Sequence, residues 1–305
     1  VAIIGGGPAG LSAALILGRS RRRVVIFDAG SPRNAPADAA HNLYTRDGES
    51  PLTLNRIARE QLGPYTSVDV RAAHVADADR LDDGTYVVVD ADGHETTADQ
   101  LILATGVVDD LPEVPGLREL WGSGVFHCPF CHGWEVQDEP FVLLAQDPRA
   151  LHGARVLRGW TANLTLCTVG SYRIPEDERQ ALSDLGVRVG GTVSRLVGGP
   201  DGRVTDVVLD DETLLGPAAV FTSAPIRQRS PLPEKLGAKV HTEGMFMGMI
   251  QVDPRGFAGV PGLWVVGDAS QGMPQVVSAA ADGTVAGAMI NVELLGSGRL
   301  PRGPR

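Results

Sequence analysis

Residues 1–30, VAIIGGGPAGLSAALILGRSRRRVVIFDAG, determine the fold that we predict for this chain. The apolar run 1–4 is typical of a parallel strand that is buried on both faces. Gly5, Gly7 and Gly10 follow with the spacing G-x-G-x-x-G and lead into a helical pattern. In such a unit the first glycine allows the turn, the second lets a pyrophosphate approach the backbone, and the third lets the helix pack closely on the strand. The stretch therefore predicts a dinucleotide-binding βαβ unit.

The acidic residue that this fingerprint requires is also present. The second strand, VVIFD, ends at Asp28, which is placed to accept hydrogen bonds from a ribose hydroxyl. A carboxylate at this position disfavours a 2′-phosphate. The ligand that we expect is FAD or NAD.

Composition limits the class of protein. The chain has 305 residues, 43% hydrophobic and 21% charged, as expected for a soluble protein of two domains. The formal net charge of −10 argues against nucleic acid or an anionic membrane as the main partner. We find no secretory signal and expect a cytoplasmic protein whose natural chain begins upstream of Val1. The basic cluster RSRRR (19–23) is expected to be a solvated helix end.

Two distant strands narrow the choice of cofactor. LILATG (101–106) and GLWVVGDAS (262–270), together with the opening fingerprint, resemble the pyridine nucleotide-disulfide oxidoreductase flavoproteins. This resemblance implies FAD, with Asp268 holding the ribityl chain and the helix after it approaching the flavin. The implied cofactor contacts are Gly5, Gly7, Pro8, Ala9, Gly10, Asp28, Ala29, Arg33, Asn42, Val75, Ala104, Thr105, Gly106, Gly267, Asp268, Gln275 and Val276.

HCPFCHGWE (127–135) concentrates two thiols, two imidazoles and a carboxylate. A C-x-x-C pair of this kind is a redox disulfide, half of a zinc site or a structural staple. Zinc would need Cys167 and a histidine as further ligands. Since Cys167 lies in LTLCTV, an apparent buried strand, and a second C-x-x-C is missing, we expect no metal.

The position of the dithiol resembles that in the low-molecular-weight thioredoxin reductases, where it begins a central inserted domain. The resemblance implies an α/β fold of two Rossmann-like, doubly wound, three-layer domains. The FAD domain would comprise residues 1–115 and 243–305, and the central NAD(P)H-like domain residues 116–242.

The second nucleotide fingerprint is degenerate. In the stretch 141–170 the strand, turn, helix and strand remain, but the turn reads AQDPRA. Asp147 stands where a backbone should meet a pyrophosphate, and its charge would repel that ligand. Downstream, Arg173 is alone among acidic residues where the reductases have an arginine cluster. We therefore predict that NADPH binding has been lost.

C-x-x-C-H-G beside a degenerate nucleotide domain is similar to the thioredoxin-reductase-like dithiol oxidases, which close disulfides in natural products such as gliotoxin and holomycin. The resemblance implies a homodimer that oxidises a small-molecule dithiol with O₂ and releases H₂O₂, in natural-product biosynthesis or self-protection. It makes Cys128 the outer, exchanging thiol and Cys131 the inner thiol that faces the flavin. His127 or His132 would serve as the base, and the sequence does not rank them.

Two other functions stay open at this point. The first is a thioredoxin reductase, linked to NADPH or ferredoxin, that reduces a protein disulfide. The second is a non-enzymatic flavin redox sensor.

Overall fold

The structure, a computed structural model, describes residues 1–301 except for the side chain of Met245. It forms two compact units, the first made of 1–35, 49–108 and the chain from 226 onward, and the second of 36–48 and 109–225. The sequence placed the breaks after residues 115 and 242 and did not assign 36–48 to the second unit. The last four residues of the predicted segment 243–305 lie outside the described part of the chain. The identification of the units as FAD and NAD(P)H-like domains stays a prediction.

In chain order the elements are β1 (Ala2–Ile4), α1 (Pro8–Arg19), β2 (Val24–Phe27), α2 (Pro51–Leu62), β3 (Val68–Arg71), β4 (Val75–Arg80), β5 (Tyr86–Asp90), β6 (Glu95–Ala98), β7 (Leu101–Leu103), β8 (Val107–Asp109), β9 (Val125–Phe126), α3 (Pro129–His132), β10 (Phe141–Ala145), α4 (Arg149–Leu157), β11 (Leu164–Thr168), α5 (Glu176–Asp184), β12 (Arg188–Gly198), β13 (Val204–Leu209), β14 (Leu214–Leu215), β15 (Ala219–Thr222), β16 (Ile226–Gln228), α6 (Leu232–Lys235), β17 (Leu263–Val265) and α7 (Val276–Gly296).

The first unit is built on a parallel sheet with the strand order β17-β7-β1-β2-β3. Successive side chains of a strand point to opposite faces. Ala2 and Ile4 accordingly enter one core and Ile3 enters the other. Helices α1 and α7 cover the Ile3 face, and the antiparallel sheet β4-β5-β6 contributes to the core on the other face. The sheet is therefore the middle of three layers.

Small residues let α1 and α7 pack against each other closely. A Cβ on Gly283 would overlap the carbonyl oxygen of Ala9, and a Cβ on Gly287 would overlap the side chain of Ile16. Because neither glycine can accept a side chain without displacing α1, the crossing fixes the position of the first turn of α1. That turn contains Gly10, the last glycine of the fingerprint.

The second unit repeats this architecture. Its sheet has the order β14-β13-β12-β11-β10-β15-β9, parallel from β12 to β9 and antiparallel from β12 to β14. Leu143 packs in the core that contains α4, whereas Val142 and Leu144 enter the core on the opposite face. The units β1-α1-β2 and β10-α4-β11 confirm the predicted α/β fold. None of the helices within residues 1–301 has both the length and the apolar character needed to cross a lipid bilayer.

Candidate functional site

The glycines of the first fingerprint have different surroundings. Gly5 has φ +108°, and a Cβ there would overlap the carbonyl oxygen of Ala104. A Cβ on Gly10 would overlap the carbonyl oxygen of Gly5. A Cβ on Gly7, in contrast, would meet no atom of the described residues within 4 Å. Gly5 and Gly10 therefore serve internal packing, while Gly7 borders open space that a ligand can fill.

The start of α1 offers backbone donors to that space. Gly7 is the N-cap in an extended conformation, Pro8 is the first helical residue, and no side chain of the described residues caps this helix. The first intrahelical donor is the amide of Leu11, so the amides of Ala9 and Gly10 precede the helical ladder. Uncapped amides at a helix N-terminus favour an anion such as a pyrophosphate. The turn thus fits the diphosphate of a dinucleotide.

Asp28 lies at the end of β2, where the sequence predicts it, and has a charged partner that the sequence does not indicate. Arg59 of α2 forms an ion pair with its Oδ2 atom, and the amide of Gly30 donates to its Oδ1 atom at 3.1 Å. Its side chain is 12% exposed. A ribose hydroxyl would therefore share this carboxylate with Arg59.

A groove of about 350 Å³ opens beside this ion pair, lined by Asp28, Gly30, Pro32, Asn55, Arg56 and Arg59 among others. Asn55, Arg56 and Arg59 belong to α2 and follow no recognisable motif, so sequence reasoning missed them.

Other predicted cofactor residues come together in the first unit. Arg33 pairs with Asp268 at 2.9 Å between Nη1 and Oδ2, and Asp268 lies in a 3₁₀ turn directly after β17. The hydroxyl of Thr105 is buried without a hydrogen-bond partner among residues 1–301. A buried hydroxyl of this kind is expected to bond to a ligand or water. Gln275 and Val276 begin α7, whose N-terminus lacks a side-chain cap in the described chain.

Three predicted cofactor residues are less directly supported. Ala29 is exposed after Asp28. The side chain of Val75 is buried in the core at the start of β4, so a cofactor could reach only its backbone. Asn42 belongs to the second unit, where its Nδ2 atom donates to the carbonyl oxygen of Phe130 at 2.8 Å.

Cys128 and Cys131 form a disulfide. Cys128 is the N-cap of the short helix α3, with Pro129 as its first residue, and the amide of Cys131 donates to the carbonyl oxygen of Cys128 at 3.2 Å. Cys128 is buried and Cys131 is half-buried. These exposures run opposite to the predicted order of an outer Cys128 and an inner Cys131, so that assignment stays a prediction.

The two candidate histidines differ in environment. The ring of His132 lies parallel to that of Phe126, with 4.3 Å between the centroids. Both ring nitrogens of His132 are buried without a hydrogen-bond partner in the described structure. Burial disfavours the imidazolium and lowers the pKa of His132 below its ordinary value. His127 is exposed and stacks on Trp121, with 5.9 Å between the centroids. The environment of His132 therefore favours a neutral imidazole.

Residues 36–48, which we call the strap, contribute side chains to this neighbourhood. His41 lies 3.4 Å from Glu135, between Nε2 and Oε1, and 3.4 Å from Asp47, between Nδ1 and Oδ2. Sequence reasoning missed His41 and Asp47 because the strap is far from the cysteines along the chain and carries no motif.

Two exposed aromatic side chains lie in the disulfide helix and directly after it, at Phe130 and Trp134. The side chain of Phe130 is 59% exposed and packs edge-on against Trp160, with 5.2 Å between the centroids. Trp134 is 71% exposed. Rings of this kind offer an apolar surface to a small organic ligand.

The degenerate turn of the second unit contains its own anion. Asp147 Oδ1 accepts a hydrogen bond from the amide of Arg149 at 2.8 Å, at the start of α4. The Arg149 guanidinium also binds both carboxylate oxygens, at 3.0 and 2.6 Å. This bonding holds the pKa of Asp147 below its ordinary value. The carboxylate is therefore charged and occupies the helix terminus where a dinucleotide phosphate would bind.

The third cysteine is separate from this chemistry. Cys167 is fully buried in β11, and burial raises its pKa to about 12. With Cys128 and Cys131 joined in a disulfide, the three sulfurs do not form a thiolate set for zinc in this structure. Within residues 1–301 the group with metal-ligand spacing is Asp90, Asp92 and His94, which contains no cysteine.

Comparisons with known proteins indicate the same class of protein as the two α/β units and the disulfide. Residues 1–158 match the pyridine nucleotide-disulphide oxidoreductase family. The chain is 32% identical over 308 residues to thioredoxin reductase tcpT of Claviceps purpurea, an alignment that covers 96% of this chain and 93% of that protein. The crystal structure of HlmI superposes with a TM-score of 0.92 and 34% identity, covering 97% of this chain and 92% of HlmI. The crystal structure of an oxidoreductase from Agrobacterium tumefaciens gives a TM-score of 0.89 and 37% identity, covering 97% and 98% of the two chains. The chain belongs to the pyridine nucleotide-disulphide oxidoreductase family and is an oxidoreductase with a thioredoxin reductase-like fold.

Proposed function

We propose that this protein oxidises a small organic dithiol to an intramolecular disulfide through Cys128 and Cys131, with FAD as cofactor and O₂ as electron acceptor, and releases H₂O₂. The observation that carries the proposal is the combination of two features. The Asp147 carboxylate lies at the start of α4, and Cys128 and Cys131 form a disulfide. This arrangement favours electrons that enter from a thiol substrate over electrons that enter from a nicotinamide.

The first unit fits FAD. Within residues 1–301, no side chain caps the start of α1, which suits a pyrophosphate, and the space beside Gly7 admits it. Thr105 supplies a hydroxyl that has no hydrogen-bond partner in the same part of the chain. The Arg33–Asp268 pair offers further polar contacts, with Asp268 in the position that the family resemblance gives to the ribityl chain. When bound, FAD supplies a two-electron acceptor that O₂ can reoxidise.

His132 supplies the proton acceptor for disulfide exchange. A thiol attacks a disulfide as its thiolate, so the attacking sulfur must first lose a proton. A neutral imidazole with a lowered pKa is available to take that proton at neutral pH. One substrate sulfur then bonds to a cysteine of the pair and the second substrate sulfur displaces that cysteine. The substrate loses two electrons and two protons, and the cysteine pair gains them.

The second unit disfavours NADPH. A helix N-terminus attracts phosphate through its free amides and its dipole. In α4 the Asp147 carboxylate already bonds to the first helical amide and is held there by Arg149. A pyrophosphate would have to displace this internal ion pair and meet a negative charge.

The resemblance also implies a homodimer with a role in natural-product biosynthesis or self-protection. We include both in the proposal, together with the cytoplasmic location expected from the sequence. The second candidate function is reduction of a protein disulfide, which the name of the Claviceps relative as a thioredoxin reductase favours. The two functions differ in the source of electrons.

Anaerobic reduction of the flavin-loaded protein separates the candidates. We expect a small dithiol, tested as dithiothreitol and as an aromatic dithiol, to bleach the flavin, and air to restore its colour with release of peroxide. NADPH should leave the flavin oxidised. Cys131→Ser should retain the flavin and lose turnover. Rapid bleaching by NADPH would instead support the reductase, and a dithiol-reduced flavin that air fails to reoxidise would contradict the oxidase.

A further inference from the structure

His41 lies between two carboxylates close to the disulfide. Its side chain is 18% exposed, and its two ring nitrogens are each 3.4 Å from a carboxylate oxygen, one of Asp47 and one of Glu135. Asp47 is held in turn by the amide of Asn42, which donates to its Oδ1 atom at 2.8 Å. A carboxylate oxygen therefore lies near each ring nitrogen of His41.

The strap that carries His41 is bonded to the disulfide helix. The Nδ2 atom of Asn42, which is next to His41 in sequence, donates to the carbonyl oxygen of Phe130 at 2.8 Å. Phe130 lies between the two cysteines in α3. The position of His41 is consequently tied to the residues that perform disulfide exchange.

His132 needs a partner once it carries a proton. Its ring nitrogens are buried and unpartnered within the described residues, and one ring face is covered by Phe126. The charged groups that act on it are Glu135, which raises its pKa, and His41, which lowers it. A buried imidazolium is costly unless an opposite charge lies nearby. Among the described residues, Glu135 lies three residues after His132 in the chain, and its carboxylate is the group that can provide that charge.

We propose that His41 is a positioning residue for disulfide exchange. Held by Asp47, His41 keeps the Glu135 carboxylate beside His132. There the carboxylate stabilises the imidazolium that forms when His132 takes the proton of the attacking thiol. This is the logic of a base that is oriented by a third group. The inference deepens the proposed function and rests on it for the identity of the attacking thiol.

Protons and electrons balance in this step. The proton moves from the attacking thiol to His132 and then to the cysteine sulfur that is displaced as a thiolate. The electron pair of the attacking sulfur forms the mixed disulfide, and the bond between Cys128 and Cys131 breaks. Neither Glu135 nor His41 is consumed in this step.

The test measures thiol exchange directly in the flavin-loaded protein. Dithiothreitol is added anaerobically, samples are quenched with iodoacetamide, and alkylated cysteines are counted by mass spectrometry as a function of pH. Attack without a base would follow the thiolate fraction, rising about tenfold per pH unit. With His132 as base we expect a shallower rise at pH values above its pKa.

Glu135→Gln should slow exchange about tenfold and steepen the profile, because the imidazolium loses its counter-charge. His41→Ala should have the same effect, and His41→Gln, whose side-chain amide can donate a hydrogen bond to Glu135, should recover part of the rate. The double variant should be about as slow as either single variant, since both act through one carboxylate. His94→Ala is the matched control, because His94 pairs with Asp90 at 3.2 Å and is 74% exposed in the first unit.

The proposal would be overturned if the exchange rate of the double variant fell by the product of the two single-variant effects. It would also be overturned if the single variants kept the wild-type pH profile. If His41→Ala melts at a much lower temperature, Glu135→Gln and His41→Gln decide the question. Because the readout is alkylation of cysteines, it stays valid if the protein fails to pass electrons to O₂. Failure of the proposed function is thereby distinguished from failure of the role of His41.

Discussion

Replacement of Gly7 by alanine tests the nucleotide site most directly. Gly7 has φ −82° and ψ −172°, an extended conformation that any residue adopts, and an added Cβ meets no atom within 4 Å in the part of the chain that the structure describes. The folded protein without cofactor should therefore tolerate the methyl group. We expect its free energy of unfolding to change by less than about 1 kcal/mol, because the restriction of the unfolded chain by alanine is offset by its poorer preference for the N-cap position.

The same methyl group should greatly weaken FAD binding. It would project into the space that adjoins the free amides of Ala9 and Gly10 and hold a pyrophosphate away from them. Loss of two charge-assisted hydrogen bonds, at about 1.5–3 kcal/mol each, amounts to about 3–6 kcal/mol. This corresponds to affinity lower by about 10²- to 10⁴-fold.

The assay is calorimetric titration of cofactor-free protein with FAD, together with thermal melting. Gly10→Ala is the matched control, because its Cβ would overlap the carbonyl oxygen of Gly5 and should lower the melting temperature even without FAD. A Gly7→Ala protein that binds FAD with wild-type affinity would refute the assignment of the site.

Three further outcomes are expected. The pKa of His132 lies below its ordinary value of 6.5, so in stopped-flow exchange with dithiothreitol the base-dependent rate should fall only when the pH drops through this lowered pKa. His132→Gln should remove this pH dependence. Arg22→Ala should reduce the free energy of unfolding in urea by about 2–4 kcal/mol, because the buried guanidinium bonds to the end of α7, whereas the exposed Arg23→Ala should change it by less than about 0.5 kcal/mol. Iodoacetamide should label Cys167 only after unfolding, because burial raises its pKa to about 12.

Local geometry explains which parts of the fold could be predicted. The roles of Gly5 and Gly10 follow from a turn that joins a buried strand to a helix, and this geometry is encoded within ten residues. Asp147 was expected to repel a phosphate, and the structure adds that it bonds to the first amide of α4.

Contacts between distant segments explain the rest. The cluster RSRRR was expected to be solvated, but this is wrong for Arg22, which is 6% exposed and donates to Asn291 Oδ1 at 2.7 Å. The pairing of Arg59 with Asp28 and of His41 with Glu135 has the same origin. No periodicity or spacing in the sequence marks such pairs. His127 and His132 likewise differ only in their tertiary surroundings.

The strap also bears on how such enzymes can be recombined. Because residues 36–48 are threaded between β2 and α2 yet belong with 109–225, the two units are interleaved in the gene. A chimaera that transplanted only 109–225 into a reductase would carry the cysteines and His132 and leave His41 behind. Exchange of the whole second unit therefore requires that two separate segments, 36–48 and 109–225, be transplanted together.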